Sequence, residues 1–139
     1  MERIEFREYV QAIIAAVLLA VFLITFVAQS FHVQGRSMEP SLISGERLLV
    51  DKLTYRFSPP RLGDIVVFRY PTDPRRKFIK RVIGLPGDEI SIRQGTVYRN
   101  GVLLQEDYII GPTLGAYSAP SFGPVKVPDG HFFVLGDNR

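Results

Sequence analysis

The sequence contains no cysteine and only two histidines, His32 and His131, set far apart. Without cysteine no disulfide framework exists, and without grouped cysteine and histidine a structural zinc site of ordinary spacing cannot be built. No metal and no cofactor are expected. A disulfide-free domain works on either side of a membrane, so the absence leaves the compartment open. There is little excess of charge of one sign: 17 basic and 14 acidic residues leave a net charge of +3. That balance tilts the chain toward anionic contacts only modestly, with lipid headgroups, nucleic acid or no partner all open. Hydrophobic residues make up 46% of the 139, which excludes a disordered tail or a low-complexity polymer.

The charge is unevenly placed. Between Glu8 and Arg36 lie 27 residues without a formal charge, and residues 12–28 read AIIAAVLLAVFLITFVA. A helix of ~20 apolar residues spans the ~30 Å hydrocarbon layer, because it satisfies its own backbone hydrogen bonds. A membrane anchor, a cleaved signal peptide and a buried soluble helix all compete for this stretch. Ala28-Gln29-Ser30 resembles a cleavage site and Arg3 and Arg7 precede the run, but the 17-residue core is long for a signal peptide and Glu2, Glu5 and Glu8 make its flank acidic. The anchor is the expected reading. Arg3 and Arg7 on one side are matched by Arg36 and Arg47 on the other, so charge does not fix its orientation.

Residues 32–139 suffice for one small domain. Short runs of Val, Ile, Leu, Phe and Tyr separated by Gly, Pro, Asp and Asn predict strands at 47–53, 64–70, 78–84, 89–93, 96–98, 102–104 and 131–135. Asn100-Gly101 predicts a tight hairpin turn, since both residues accept positive φ. From 111 to 130, eight of twenty residues are Gly or Pro, and this stretch is read as an extended surface excursion without a regular helix or central strand. The fold class expected is mainly β, an antiparallel domain preceded by one N-terminal transmembrane helix.

The segment Gly35-Arg36-Ser37-Met38-Glu39-Pro40-Ser41-Leu42 follows the anchor closely. Gly35 permits close backbone approach and Pro40 stiffens the loop, so Ser37 can be held still, although an ordinary linker serine is the simpler reading. A serine hydroxyl needs a base, and neither histidine is suitably placed. A lysine serves if burial lowers its pKa from ~10.4 toward ~7–8. Of Lys52, Lys77, Lys80 and Lys126, Lys80 is the best candidate: it lies inside the apolar run Phe78-Ile79-Lys80-Arg81-Val82-Ile83, where alternation puts Phe78, Lys80 and Val82 on one face and Ile79, Arg81 and Ile83 on the other. The alternative is a lysine snorkelling from a basic patch with Arg75, Arg76, Lys77 and Arg81.

Ser37-Met38-Glu39-Pro40-Ser41-Leu42, Asp51-Lys52-Leu53, Arg61-Leu62-Gly63-Asp64-Ile65-Val66-Val67-Phe68, Phe78-Ile79-Lys80-Arg81-Val82-Ile83-Gly84-Leu85-Pro86-Gly87-Asp88 and Val134-Leu135-Gly136-Asp137-Asn138-Arg139, in this order after an apolar segment, resemble bacterial type I signal peptidase. The resemblance covers nearly the whole chain. It implies a membrane-bound Ser-Lys serine endopeptidase that removes leader peptides from exported preproteins. Ser37 would be the nucleophile and Lys80 the general base, with an oxyanion hole from Ser37 and Gly35. Phe31, Val33, Met38, Leu42, Phe78 and Ile79 would shape pockets for small residues at −3 and −1, and Arg81, Asp137 and Arg139 would play supporting parts. Gly35 offers no side-chain hydroxyl where some members carry serine. The strands beside Ser37 and bearing Phe78 are expected to offer free edges to an extended leader.

The implied layout is a short cytoplasmic tail at 1–9, an anchor at 10–31 and a catalytic β domain at 32–139 facing outward from the cell membrane. Exported preproteins and membrane lipid are the expected partners, and nucleic acid is not one. The family continues past Gly-Asp-Asn-Arg with acidic and serine groups, so the chain is expected to be truncated and weakly active or inactive. Alone, residues 136–139 read as a polar scaffold corner. Two rivals stand beside this reading. One is a noncatalytic membrane-anchored β domain that binds peptides or lipid. The other is a self-cleaving repressor-type Ser-Lys protease, which would carry a DNA-binding helical domain in place of the apolar run.

Overall fold

The computed structural model of the chain describes residues 2–111 and 121–139. It divides into two compact units, Met1–Phe31 with Arg47–Pro59, and His32–Glu46 with Pro60–Arg139.

The first unit begins with α1, Glu2–Phe22, which runs into a π-helical turn, Leu23–Val27. Phe6–Val27 is one stretch of 22 residues long and apolar enough to cross a membrane, about 33 Å at the rise of an α-helix. The helical path ends at Val27, where Ala28 turns extended and donates its N–H to Leu23 O. The last residues of the 10–31 segment therefore belong to a strand, β1, Ala28–His32, which pairs with β2, Arg47–Asp51. Lys52 ties the strand pair to the helix end, its N–H donating to Val27 O at 2.8 Å and its Nζ to Thr25 O at 2.5 Å. A short helix, α2, Thr54–Phe57, follows, with the Asp51 carboxylate accepting from the N–H groups of Leu53 and Thr54. Sequence pattern alone marks neither β1 nor α2.

The second unit is built from two antiparallel sheets. One has the order β3-β4-β9, from Ile65–Tyr70, Asp73–Gly84 and Phe133–Leu135. The other has the order β7-β6-β5-β8, from Val102–Leu103, Thr96–Arg99, Glu89–Arg93 and Phe122–Lys126. The expected turn sits between β6 and β7, with Asn100 at φ 53° and Gly101 at φ 75°. Residues 112–120 of the anticipated excursion lie outside the described residues. Within the rest of it, β8 is a regular strand that the density of Gly and Pro concealed. As the outer strand of its sheet, β8 hydrogen-bonds on one side only, so Pro124 costs the ladder little.

Ile83, Ile90, Ile92, Val97 and Val127 form the core, with Leu104, Tyr108, Phe133 and Leu135 packed against it. Each of these aliphatic side chains contributes ~1.5–3 kcal/mol on burial. Asp88 sits at the rim of this core. Burial pushes its carboxyl up, but hydrogen bonds from Arg99, the Leu85 N–H and Asn100 outweigh that and hold it below the usual carboxylate range. Gly84 of β4 lies close against Ile90 of the other sheet and Phe133 of its own. A Cβ there would lie 2.9 Å from Ile90 Cδ1 and 3.2 Å from Phe133 Cβ. Gly84→Ala is expected to destabilise the domain by about 1–3 kcal/mol, visible as a lower Tm in thermal unfolding.

Candidate active site

Ser37 lies in a loop whose ends are pinned. The Val33 N–H donates to Glu46 O at 2.8 Å and the Gly45 N–H to Val33 O at 2.9 Å, closing residues 33–46 into an excursion. Within it, Gly35 takes φ +88°, open to glycine at little steric cost. The Glu39 N–H donates to Arg36 O at 3.2 Å and the Leu42 N–H to Met38 O at 2.9 Å. Val33 and Met38 are each 1% exposed, so the loop is anchored by apolar side chains on both sides of Ser37 while Ser37 itself stays exposed. Among the described residues no acceptor is paired with the Ser37 N–H.

Lys80 projects from β4, opposite Val66 of β3. Its Nζ is 2.6 Å from Ser37 Oγ, across 43 positions of sequence. Burial pushes the amine below the ordinary lysine range, and the nearby Asp137 carboxylate opposes the shift only in part. Beside it opens a cavity of about 360 Å³, lined by Phe68, Tyr70, Phe78, Lys80, Val134 and Gly136 among others. Phe78 and Lys80 share this face, as strand alternation requires.

Arg81, next along β4, turns to the opposite face. Its Nε donates to Asp137 Oδ1 at 2.9 Å and its Nη2 to Asp137 Oδ2 at 2.6 Å, while Nη1 reaches Gly63 O. Asp137 is wholly buried. The paired carboxylate raises the guanidinium pKa further against the cost of burial, and a fork of this kind fixes direction as well as distance. Residues 136–139 are thus more than a polar corner. The Asn138 N–H donates to Ser37 O at 3.1 Å and Asn138 Nδ2 to Arg36 O at 2.9 Å. Gly136 packs so close to the Ser37 carbonyl that a Cβ would overlap it.

The remaining residues singled out from sequence fall as follows. Phe78 lines the cavity. Ile79, 7% exposed, is buried like Val33 and Met38, and Leu42 is half-buried. Phe31 belongs to β1 in the other unit. The Gly35 N–H donates to Ser44 Oγ at 3.3 Å. Arg139 is tied to Glu106. β3 pairs with β4 over Asp73–Arg81 and β9 over Arg81–Gly84, so among the described strands the part of β4 before Arg81 has only β3 beside it. Residues 33–36, leading to Ser37, are not strand. Sequence reasoning did not reach Ser41, whose hydroxyl accepts from Arg81 at 3.3 Å, nor Ser44, Glu106 and Tyr108. None of these stands in a periodic pattern, and Ser41 and Glu106 meet arginines 40 and 33 positions away. Among the described residues no group of His, Cys, Asp or Glu is arranged to hold a metal.

An exposed hydroxyl in hydrogen-bond contact with a partly desolvated lysine, on a β framework and without histidine, has the make-up of a Ser-Lys nucleophile–base pair. Residues 6–139 match the family described as signal peptidase, peptidase S26, and the chain belongs to that family. It is 47% identical to probable signal peptidase I-2 of Synechocystis sp., over 93% of this chain and 59% of that protein. To probable signal peptidase I-1 of the same organism it is 44% identical, over 96% of this chain and 69% of that protein. A crystal structure of a signal peptidase I from Enterococcus faecalis aligns with a TM-score of 0.49 at 35% identity, over 59% of this chain and 80% of that one.

Proposed function

We propose that the protein is a membrane-bound serine endopeptidase that removes leader peptides from exported preproteins, cutting after small residues at −3 and −1. The observation that carries this reading is the 2.6 Å contact between Lys80 Nζ and Ser37 Oγ. The uncharged amine takes the hydroxyl proton as Oγ attacks the scissile carbonyl. The resulting oxyanion is met by the Ser37 N–H, with help from the backbone at Gly35 once substrate displaces the Ser44 hydroxyl. The ammonium then gives its proton to the departing amine, the C–N bond breaks, and the leader remains as an ester on Ser37. Water, deprotonated by the same amine, releases it.

The cavity beside Lys80 takes an apolar side chain of the substrate. The buried Val33, Met38 and Ile79 form the floor that keeps the site shallow and so selects small residues. The edge of β4 away from β3, in the stretch before β9 joins, receives the substrate backbone as an added strand. The apolar helix anchors the enzyme in the cell membrane beside its substrates and the lipid. The β domain faces outward, since leaders are cut after export.

The test is incubation of the detergent-solubilised protein with a preprotein bearing Ala at −3 and −1, and mass analysis of the products. A single cut after −1, lost when −1 is Lys, supports the reading. No cut, or a cut that survives Ser37→Ala, overturns it. The pH dependence follows from the direction of the Lys80 shift. Only the uncharged amine is active, so kcat/KM rises with pH. It reaches half its plateau below the ~10.4 of an ordinary lysine. A midpoint at or above that value contradicts a desolvated base.

A further inference from the structure

We infer that Glu106 and Tyr108, on the segment after β7, are positioning residues that clamp the Gly136–Arg139 turn and thereby set how Ser37 meets Lys80; the inference rests on the Ser-Lys reading above. The clamp is a chain of contacts that leaves one member of the pair and returns to the other. Arg81 follows Lys80 on β4, grips Asp137, and lays its guanidinium 4.1 Å from the centre of the Tyr108 ring. Tyr108 packs against the hydrophobic core, and its hydroxyl donates to Glu106 Oε1 at 2.8 Å. Glu106 receives both arms of Arg139, Nη1 on Oε2 at 3.0 Å and Nη2 on Oε1. Arg139 Nε in turn donates to Gly136 O at 2.5 Å. From Gly136 and Asn138 the contacts pass to the Ser37 carbonyl.

Three features favour a fixed geometry for the clamp. The side chains of Arg139 and Glu106 are 3% and 5% exposed, so their ion pair is barely screened by water. The Arg139 and Arg81 guanidinium groups both engage carboxylates through two arms, which leaves little freedom of angle. Burial, and then the hydrogen bond to Glu106, push the Tyr108 hydroxyl well above its ordinary range, so it remains a donor at every working pH. Neither Glu106 nor Tyr108 touches Ser37 or lines the cavity, which separates positioning from catalysis or substrate binding.

The consequence is kinetic. Releasing the turn lets Ser37 drift from Lys80 and admits water to the amine, whose charge Asp137 already favours. Glu106→Ala is expected to lower kcat about 10- to 100-fold, to leave KM within about twofold since no substrate contact is lost, and to move the pH midpoint up toward that of a free lysine. Glu106→Gln, which keeps an acceptor for Tyr108 and for one arm of Arg139, recovers part of kcat. Tyr108→Phe keeps the ring in the core and under Arg81, and a few-fold fall in kcat is expected from loss of its hydroxyl.

These variants are assayed for leader cleavage in detergent, at matched amounts of folded protein judged by thermal melting. A lowered Tm with unchanged kcat and pH midpoint in Glu106→Ala reduces the pair to scaffold and overturns the inference. If Glu106→Ala does not fold, Tyr108→Phe decides by the same two readouts. Ser37→Ala separates the two levels. Cleavage that survives it sinks the Ser-Lys reading and this inference together. Its loss, beside a fully active Glu106→Ala, sinks this inference alone.

Discussion

On the proposed Ser-Lys reading, Ser37→Ala and Lys80→Met are each expected to remove leader cleavage almost entirely, with kcat falling on the order of 10⁴-fold or more. The two effects do not add. Once the hydroxyl is gone the amine has no proton to accept, and once the amine is gone the hydroxyl stays protonated near neutral pH. The double variant therefore falls no further than the worse single one. Lys80→Arg fares no better than Lys80→Met, because a guanidinium does not become a neutral base in this pH range. The residual rate, measured as product formed over hours against an enzyme-free control, reflects binding and the backbone donors alone. Both variants keep the fold: Ser37 is exposed, and Met fills the space of a lysine stem without an amine that needs solvating. A Ser37→Ala protein retaining a tenth of the parent rate is incompatible with an acyl-enzyme on that oxygen.

Gly136→Ala is the next largest effect expected, although Gly136 takes no part in the chemistry. A methyl group there overlaps the Ser37 carbonyl oxygen, lies 3.2 Å from the Ser37 carbonyl carbon and 3.4 Å from Lys80 Nζ. The obstacle is backbone, not the mobile end of a side chain, so the turn or the serine loop has to move. A displacement of ~1 Å at such a site costs on the order of 10²-fold in rate, and the overpacking adds about 1–3 kcal/mol of destabilisation. Parallel measurement of kcat and Tm separates the two. A variant with the parent's kcat shows that the serine loop tolerates displacement, and the tight seating of Ser37 then has no catalytic role.

Local pattern made much of the sheet framework legible. Residues 89–93 form a strand over the span that their short run between turn residues predicts, and Asn100-Gly101 turns where two positive φ angles are needed. Lys80 stood out because a charge inside an apolar strand needs a reason. What stayed hidden depends on position in the sheet or on distant partners. Pro124 reads as a breaker until β8 is known to be an outer strand. Asp73–Gly84 begins earlier than expected, with Pro74 near its start, where one missing N–H is tolerated. Val33, Met38 and Ile79 enter the sequence reading only as pocket positions implied by the family resemblance, and their burial is a tertiary outcome that local pattern does not show. Glu106 carries no local signal, since its meaning comes from Arg139, 33 positions away.

The contact between Asn138 and Arg36 joins residues 102 positions apart, and this has a bearing on biogenesis. A nascent polypeptide that has emerged only through β8 already carries both Ser37 and Lys80 but not the turn that seats them. The seat of the serine loop therefore depends on contacts of long sequence separation, and such contacts form slowly. On the proposed reading, the Ser37–Lys80 pair is seated only once residues 136–139 have been made and folded back onto the serine loop.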